Sequence, residues 1–455
     1  MDVNLPDRLK TPEQIAAYYA NLQVKSRMSE YIAHARYICT HSPGAGGAFL
    51  PRPPGQLEEL LLQGTEIHRS LWDDSGLLVL LDLEYVLFQD PQRAYRNPTH
   101  GFEAQSPVVE HLGRTLERYG IPYLQLVTGR GHHLCWMVGR ESQAFEKLSQ
   151  LGKLSPSLLA LYDQPHRPLG KRVSRAKAAA FSGLGMVLEY LGHQMLEKCR
   201  FNSIPLRLAA IEPAGGPQQE ILCLDLSAFG DPLHRRSERL PFSLYRKGEA
   251  CGYHDPIVCL PRAGLDLPGI LKLRGNLAEC AAWAQQSDTR IPQADLGMMA
   301  LLEDYEKSDL AVFHQEFYRQ QEQPRVHPAA AVDRLPHCVL SSLTQPNDLL
   351  LKPAALQNLV RCLLAEGWRS PEVARLVTTR LQQDHGWLPA IHFHEAGCRA
   401  EFYTRLFGGL LEAGHDRLED LDCESTRAKG YCTQENCGVQ LRQMANRWLR
   451  RHRYD

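Results

Sequence analysis

The sequence predicts a mixed α/β or α+β catalytic module followed by a helical C-terminal third. Three observations carry that expectation. Residues 76 to 88 read GLLVLLDLEYVLF, an apolar run that reads as a strand buried on both faces. Further strand-like and helix-like segments are interspersed through the first half of the chain. From about Ile270 onward strand signals fade, and the later apolar residues recur at helical spacing.

Taken in order, the chain opens on a helical stretch with Ile15, Tyr18, Tyr19 and Leu22, then a Gly- and Pro-rich loop from His41 to Gly55. The apolar run that follows carries Asp82 and Glu84. Strand side chains alternate with period two, so both acids point to one side. Paired carboxylates on a buried strand repel and lose hydration, at a cost of several kcal/mol unless a positive group compensates. A divalent cation is the usual remedy, and oxygen-only donors favour Mg²⁺ or Mn²⁺. The alternative is an exposed strand end with solvated acids. Pro107 to Tyr119 has helical spacing and a stop at Gly120. Ile121 to Val127 reads as a second strand running into Thr128-Gly-Arg-Gly-His-His133, and Glu220 to Leu226 as a third, carrying Asp225.

A long helix covers roughly Ala176 to Cys199. Lys171, Arg172, Arg175 and Lys177 stand at its start, where they read as a track for a template phosphate backbone or as a solvated helix N-terminus. Residues 321 to 336 have linker character. Pro353 and Ser370-Pro371 then open two amphipathic helices, and Phe402, Leu406, Phe407 and Leu410 mark a third. The chain closes on an Arg-rich helix around Trp448, open to a nucleic-acid reading or to cations favoured at a helix C-terminus.

Bulk properties narrow the field. The 455 residues carry a formal net charge of −1, so nucleic-acid affinity would rest on local basic patches. Neither a signal peptide nor a transmembrane-length apolar run is visible, which sets the expectation of a cytoplasmic protein without a membrane partner. Thirteen cysteines, an odd number, favour free thiols and metal or cluster ligands over a disulfide framework.

Three carboxylates, Asp82, Glu84 and Asp225, can hold two Mg²⁺ or Mn²⁺ ions for in-line phosphoryl transfer. The Gly-rich turn allows close approach to a phosphate, with His133 and Arg130 as donors. Basic residues in the segment from His234 to Lys247, including Arg239 and Lys247, can neutralise a triphosphate or a template backbone.

The order and spacing of these elements resemble the archaeo-eukaryotic primase superfamily, which includes the primase-polymerases. Asp82-Leu83-Glu84 matches its acid-x-acid strand, Gly131-His132-His133 its small-x-His turn, and Leu224-Asp225 its hydrophobic-Asp motif. Arg239-Leu-Pro-Phe-Ser243-Leu-Tyr-Arg-Lys247 matches the basic-x-Pro-x-Ser-x-His-x-Lys segment of its catalytic subunits, with Tyr245 where the family commonly has His. A phenol can donate a hydrogen bond there but no charge. Cys338, Cys423, Cys432 and Cys437 resemble the iron–sulfur domain of the primase large subunit. Four thiolates suit a [4Fe–4S] cluster or a zinc ion; the resemblance favours the cluster. Cys398 is a spare candidate, and Cys362 reads as core. Cys251, His254 and Cys259 supply three ligands of a possible zinc knuckle.

The resemblance implies an α+β fold: a primase-type (RRM-like) catalytic α/β core over 1–268, a helical linker region over 269–330, and a separate all-α iron–sulfur domain over 331–455. It implies a DNA-directed nucleotidyltransferase that builds primers from NTPs or dNTPs on a single-stranded DNA template. Asp82, Glu84 and Asp225 would bind metal, His133 would act with them, and Arg130, Arg239, Ser243 and Lys247 would bind the nucleotide. Two rivals remain: a primer-dependent gap-filling or repair polymerase, and a nucleic-acid-binding protein with a decayed site.

Overall fold

The computed structural model describes residues 9–40, 50–166, 169–201, 206–211, 218–247, 252, 254–260, 266–322, 334–383, 394–432, 434 and 437–452. It is a mixed α+β structure with two sheets. The strands are β1 (Ile38–Cys39), β2 (His68–Ser70), β3 (Gly76–Leu87), β4 (Leu124–Val127), β5 (Gly131–Gly139), β6 (Arg207–Ala209), β7 (Glu220–Asp225), β8 (Ser237–Arg239) and β9 (Val258–Leu260). The larger sheet has the order β6-β7-β3-β5-β4-β9, antiparallel except for the β6/β7 pair. The smaller, antiparallel sheet has the order β1-β2-β8.

The apolar run becomes β3, which pairs with a neighbour on each side. One of its faces is covered by helices. Leu81, Leu83 and Tyr85 are buried there, and a Cβ at Gly192 of the helix Arg175–Phe201 would touch Leu224, the β7 partner of Leu83. The other face carries Leu80, Asp82 and Glu84, all partly exposed. The expectation of a strand buried on both faces therefore fails at the acids, and for a physical reason: ionised carboxylates keep their side of the sheet open to water.

Two helices differ from the sequence expectation. The N-terminal stretch is split into Pro12–Ala20 and Leu22–Tyr31 because Asn21 caps the second helix, its side chain accepting from the Gln23 and Val24 amides at 2.9 and 3.2 Å. Leu22 is exposed rather than core. The helix expected from Pro107 begins at Pro98, capped by Asn97, and runs through Pro107 to Arg118. Gly120 ends it in the left-handed region, at φ 71°.

The C-terminal helices Pro353–Ala365, Ser370–Leu381 and Ala396–Glu412 form where apolar spacing and N-terminal Pro residues predict them. They share one continuous apolar core with the strands and helices of the first half, from Leu71 to Trp448. A buried ion cluster reinforces that joint. Glu189 accepts from Arg405 Nη2 at 2.5 Å and lies 3.0 Å from His314 Nε2. The loop after Asp225 is pinned as well: Asp231 pairs with Arg236 and sits 2.6 Å from His394 Nδ1, while Gly230 lies against Phe402 too closely for a side chain. No helix among the described residues is long and apolar enough to cross a membrane.

Candidate functional site

Register across three strands assembles the site. Asp82 pairs with His133 of β5 on one side and with Asp225 of β7 on the other. Directly paired residues project from the same face, so the three side chains stand in a row across the open face. Glu84 is two residues further along, opposite Gly131. A Cβ at Gly131 would fall 1.7 Å from the Leu83 carbonyl. That glycine is therefore demanded by the approach of the two strands. The β4–β5 turn is a hairpin, closed by a Thr128 N–H to Gly131 carbonyl bond of 2.8 Å.

The charges in the row are unevenly compensated. Burial raises the Glu84 carboxyl, but Arg130, which is ion-paired to it, together with Lys247 and Arg239 reverses this and brings it to about 2. Asp225 goes the other way. Burial and the negative charge of Asp82 lift it to about 6, against a 2.8 Å bond from the Ser227 amide. Oδ1 of Asp82 is buried with no hydrogen-bond partner; His133 Nε2 lies 3.4 Å away, a charge contact without hydrogen-bond alignment. Burial would keep His133 neutral, yet the Asp82 charge wins and raises its pKa.

The donor set is oxygen-only and carries an excess of negative charge beside Asp82 and Asp225, which suits a hard divalent cation. Glu84, held by Arg130, would have to turn from that partner to join it. Among the described residues no group of three or more His, Cys, Asp or Glu side chains is drawn together closely enough to hold a metal ion as it stands.

The basic segment from β8 onward flanks the acids. Arg239 is ion-paired to Glu66 and lies over the Tyr245 ring, 4.7 Å from its centroid. Tyr245 is buried, its hydroxyl 2.9 Å from that of Tyr95. At this departure from the primase pattern the phenol is thus a platform beneath Arg239, with its hydroxyl turned to another tyrosine. A Cβ at Gly129 would strike the same ring at 2.2 Å. Lys247 is exposed, and its ammonium is pushed down first by the Arg239 charge. Ser243 stands apart from these cations: it is fully buried, and its hydroxyl accepts the Ile67 amide at 2.8 Å. Its group is committed to joining the two segments.

Behind His133 is a layer that sequence reasoning missed. Glu238 of β8 is buried, with Oε2 3.9 Å from His133 Nδ1 and Oε1 2.5 Å from the Tyr31 hydroxyl. Burial raises its pKa. Its only sequence signal was position, one residue before Arg239 in the basic segment.

Lys177 does not join a surface phosphate track. It is buried, donates to the Asp73 carbonyl, and burial brings it down to about 8. Arg175 is exposed and 3.0 Å from Asp163, while Lys171 and Arg172 are exposed. Two arginines of the C-terminal helix, Leu441–Arg451, meet the end of the helix Pro353–Ala365: Arg447 pairs with Glu366, and Arg451 donates to the Leu364 carbonyl at 3.3 Å.

Cys338 is buried, and its thiol is pushed up to about 12 by burial and then by the charges of Cys432, Cys423 and Cys437. The four thiols expected to act together therefore share one locality. Cys398 lies elsewhere, 3.8 Å from the Phe229 carbonyl, and Cys362 is in the core. Of the possible zinc knuckle, Cys251 falls outside the described residues, and Cys259 is a buried β9 thiol, 3.5 Å from the Asp288 carbonyl.

No protein-family model matches the chain, and no curated protein matches it.

Proposed function

We propose that this chain is a template-directed nucleotidyltransferase, a primase or primase-polymerase, acting on single-stranded DNA with NTPs or dNTPs. The observation that carries the reading is the row Asp225–Asp82–His133, set by register across β7, β3 and β5, with Glu84, Arg130, Arg239 and Lys247 beside it. Asp82, Asp225 and, once released from Arg130, Glu84 would hold Mg²⁺ or Mn²⁺. Bound there, two such ions supply activation of the attacking hydroxyl and charge neutralisation at the leaving pyrophosphate.

The chain's own groups do the rest. His133 donates to a phosphate oxygen of the incoming nucleotide. Arg130, Arg239 and Lys247 neutralise and orient the triphosphate. The stacked Tyr245 holds the Arg239 guanidinium level, so fewer rotamers are lost on binding. Cys338, Cys423, Cys432 and Cys437 would hold a [4Fe–4S] cluster, with zinc as the alternative. A cluster would supply four strong links among C-terminal segments. The primase-type fold, with an iron–sulfur part packed on the first half through the shared core, belongs to this proposal.

The test is nucleotide incorporation by the full chain on an unprimed single-stranded template with Mn²⁺, beside Asp82→Ala/Glu84→Ala. Product from the wild type alone supports the reading. Equal incorporation by the double variant would remove the metal-site assignment. Product only from pre-primed template would make the chain an extending polymerase and not a primase.

A further inference from the structure

A continuous line of contacts runs from Asp225 into the C-terminal helices. Asp225 ends β7, and its carboxylate accepts from the Ser227 amide at 2.8 Å. Ser227 is held in turn through its carbonyl, which accepts from Arg236 Nη2 at 2.6 Å. Arg236 is ion-paired to Asp231, and Asp231 Oδ1 lies 2.6 Å from His394 Nδ1. His394 immediately precedes Glu395, whose side chain caps the helix Ala396–Glu412. The backbone of His394 is fixed as well, its carbonyl accepting from Arg235 Nη1 at 3.3 Å.

The loop that carries these links is seated on that helix. A Cβ at Gly230 would fall 2.9 Å from the Phe402 ring and 3.3 Å from that of Tyr403, so backbone alone fits there. The Cys398 thiol lies 3.8 Å from the Phe229 carbonyl. The charges of Asp231, Asp225 and Arg236 all reach the buried Tyr403, so the clamp and the end of the acid row share one locality. Charge is divided unevenly within it. Burial would raise the Asp231 carboxyl, but Arg236 and the bond to His394 hold it well below the usual range. Arg236, taken by Asp231 and by the Ser227 carbonyl, is thereby kept from neutralising Asp225.

We propose that His394 is a positioning residue for Asp225: by holding Asp231, and through it Arg236 and the Ser227 carbonyl, it fixes the direction in which the Asp225 carboxylate meets a divalent cation. The C-terminal helices thereby complete a metal site whose ligands all lie in the first half. The inference rests on the metal-site reading of the acid row and adds a residue outside the row that sets its affinity. A carboxylate left free to turn must be ordered when the ion binds, so the groups that hold it alter affinity without touching the ion.

The experiment titrates the full chain with Mn²⁺ alone, read by the paramagnetic resonance of the free ion, for the wild type, His394→Ala and His394→Asn. The uptake compared is that which Asp82→Asn/Asp225→Asn abolishes. The side-chain amide of Asn puts a donor where Nδ1 stands, and so restores the bond to Asp231. His394 is partly exposed, and melting temperatures without Mn²⁺ verify folding. His394→Ala is expected to raise the Mn²⁺ Kd about 10-fold, the lower end of the range for groups that stand behind a metal ligand. His394→Asn should stay close to the wild type. A contact that serves stability alone would lower the melting temperature of His394→Ala and leave its Kd unchanged; that result would overturn the inference and leave the acid row intact. Equal weakening in both variants would overturn it too, since the bond to Asp231 would not carry the effect. A wild type without this uptake would overturn the inference together with the metal-site reading.

Discussion

Glu189 and Asp225 are both shielded carboxylates, and they are treated in opposite ways. Glu189 lies at the joint between the first half and the C-terminal helices, held by Arg405 and His314. Burial would raise its pKa, yet Arg405 keeps it below the usual range. Asp225 has one amide bond and a negatively charged neighbour, Asp82, and is raised to about 6. The chain can neutralise a buried carboxylate where it needs one for structure. At Asp225 it does not, and that omission is what a cation site requires in the absence of its cation.

The comparison can be broken at either end, and the largest effect is at Glu189. Arg405→Met strands a buried charge and should cost about 3–5 kcal/mol of stability; a denaturant melt reads it. A cost below about 1 kcal/mol would mean Glu189 is not neutralised as described.

Asp225→Asn should have two effects of opposite sign. Nucleotide incorporation falls to background, while the cation-free protein melts a few degrees higher at pH 7. The sign follows from linkage. The folded pKa, about 6, lies above the ordinary aspartate value, so the native state binds more protons between roughly pH 4 and 6. The charge therefore subtracts stability progressively across that window, in full above it. Glu84 behaves oppositely. Its folded pKa of about 2 lies below the ordinary value, so its contribution is complete above about pH 4.5 and is lost toward pH 2. Melting curves of Asp225→Asn and Glu84→Gln across pH 3 to 8 separate the two; parallel curves would contradict the assignment.

A smaller effect is expected at the nucleotide side. Tyr245→Phe loses the bond to Tyr95, worth about 1 kcal/mol of stability, and keeps the ring beneath Arg239. Nucleotide KM should change less than ~2-fold, whereas Tyr245→Ala should raise it clearly. Equal KM values for the two variants would show that the ring is no platform.

Much of this was legible in the sequence because it is local. The strand from Gly76 is apolar enough to announce itself, and period two alone puts Asp82 and Glu84 on one face. The helix starts at Pro353 and Ser370 follow from N-terminal chemistry. What escaped was decided by distant partners. Lys177 looked like a surface cation until the Asp73 carbonyl lay above it. Arg447 and Arg451 looked free until the end of another helix met them. Glu238 became part of the site only because the smaller sheet lays β8 against His133. The continuous core between the halves was hidden for the same reason: each helix shows its own apolar face, and nothing in it says which face it meets.

The central claim is that Asp225, crowded by the Asp82 charge and without a cationic partner among the described residues, is left open with Asp82 for a divalent cation. Thermal melts with and without Mn²⁺ at pH 7 test it most directly, on the wild type and on Asp82→Asn/Asp225→Asn. At 100-fold excess over its dissociation constant a native-state ligand adds about 2.7 kcal/mol. The wild type should gain several degrees and the double variant none. An equal gain in both, or no gain in the wild type, would contradict the account.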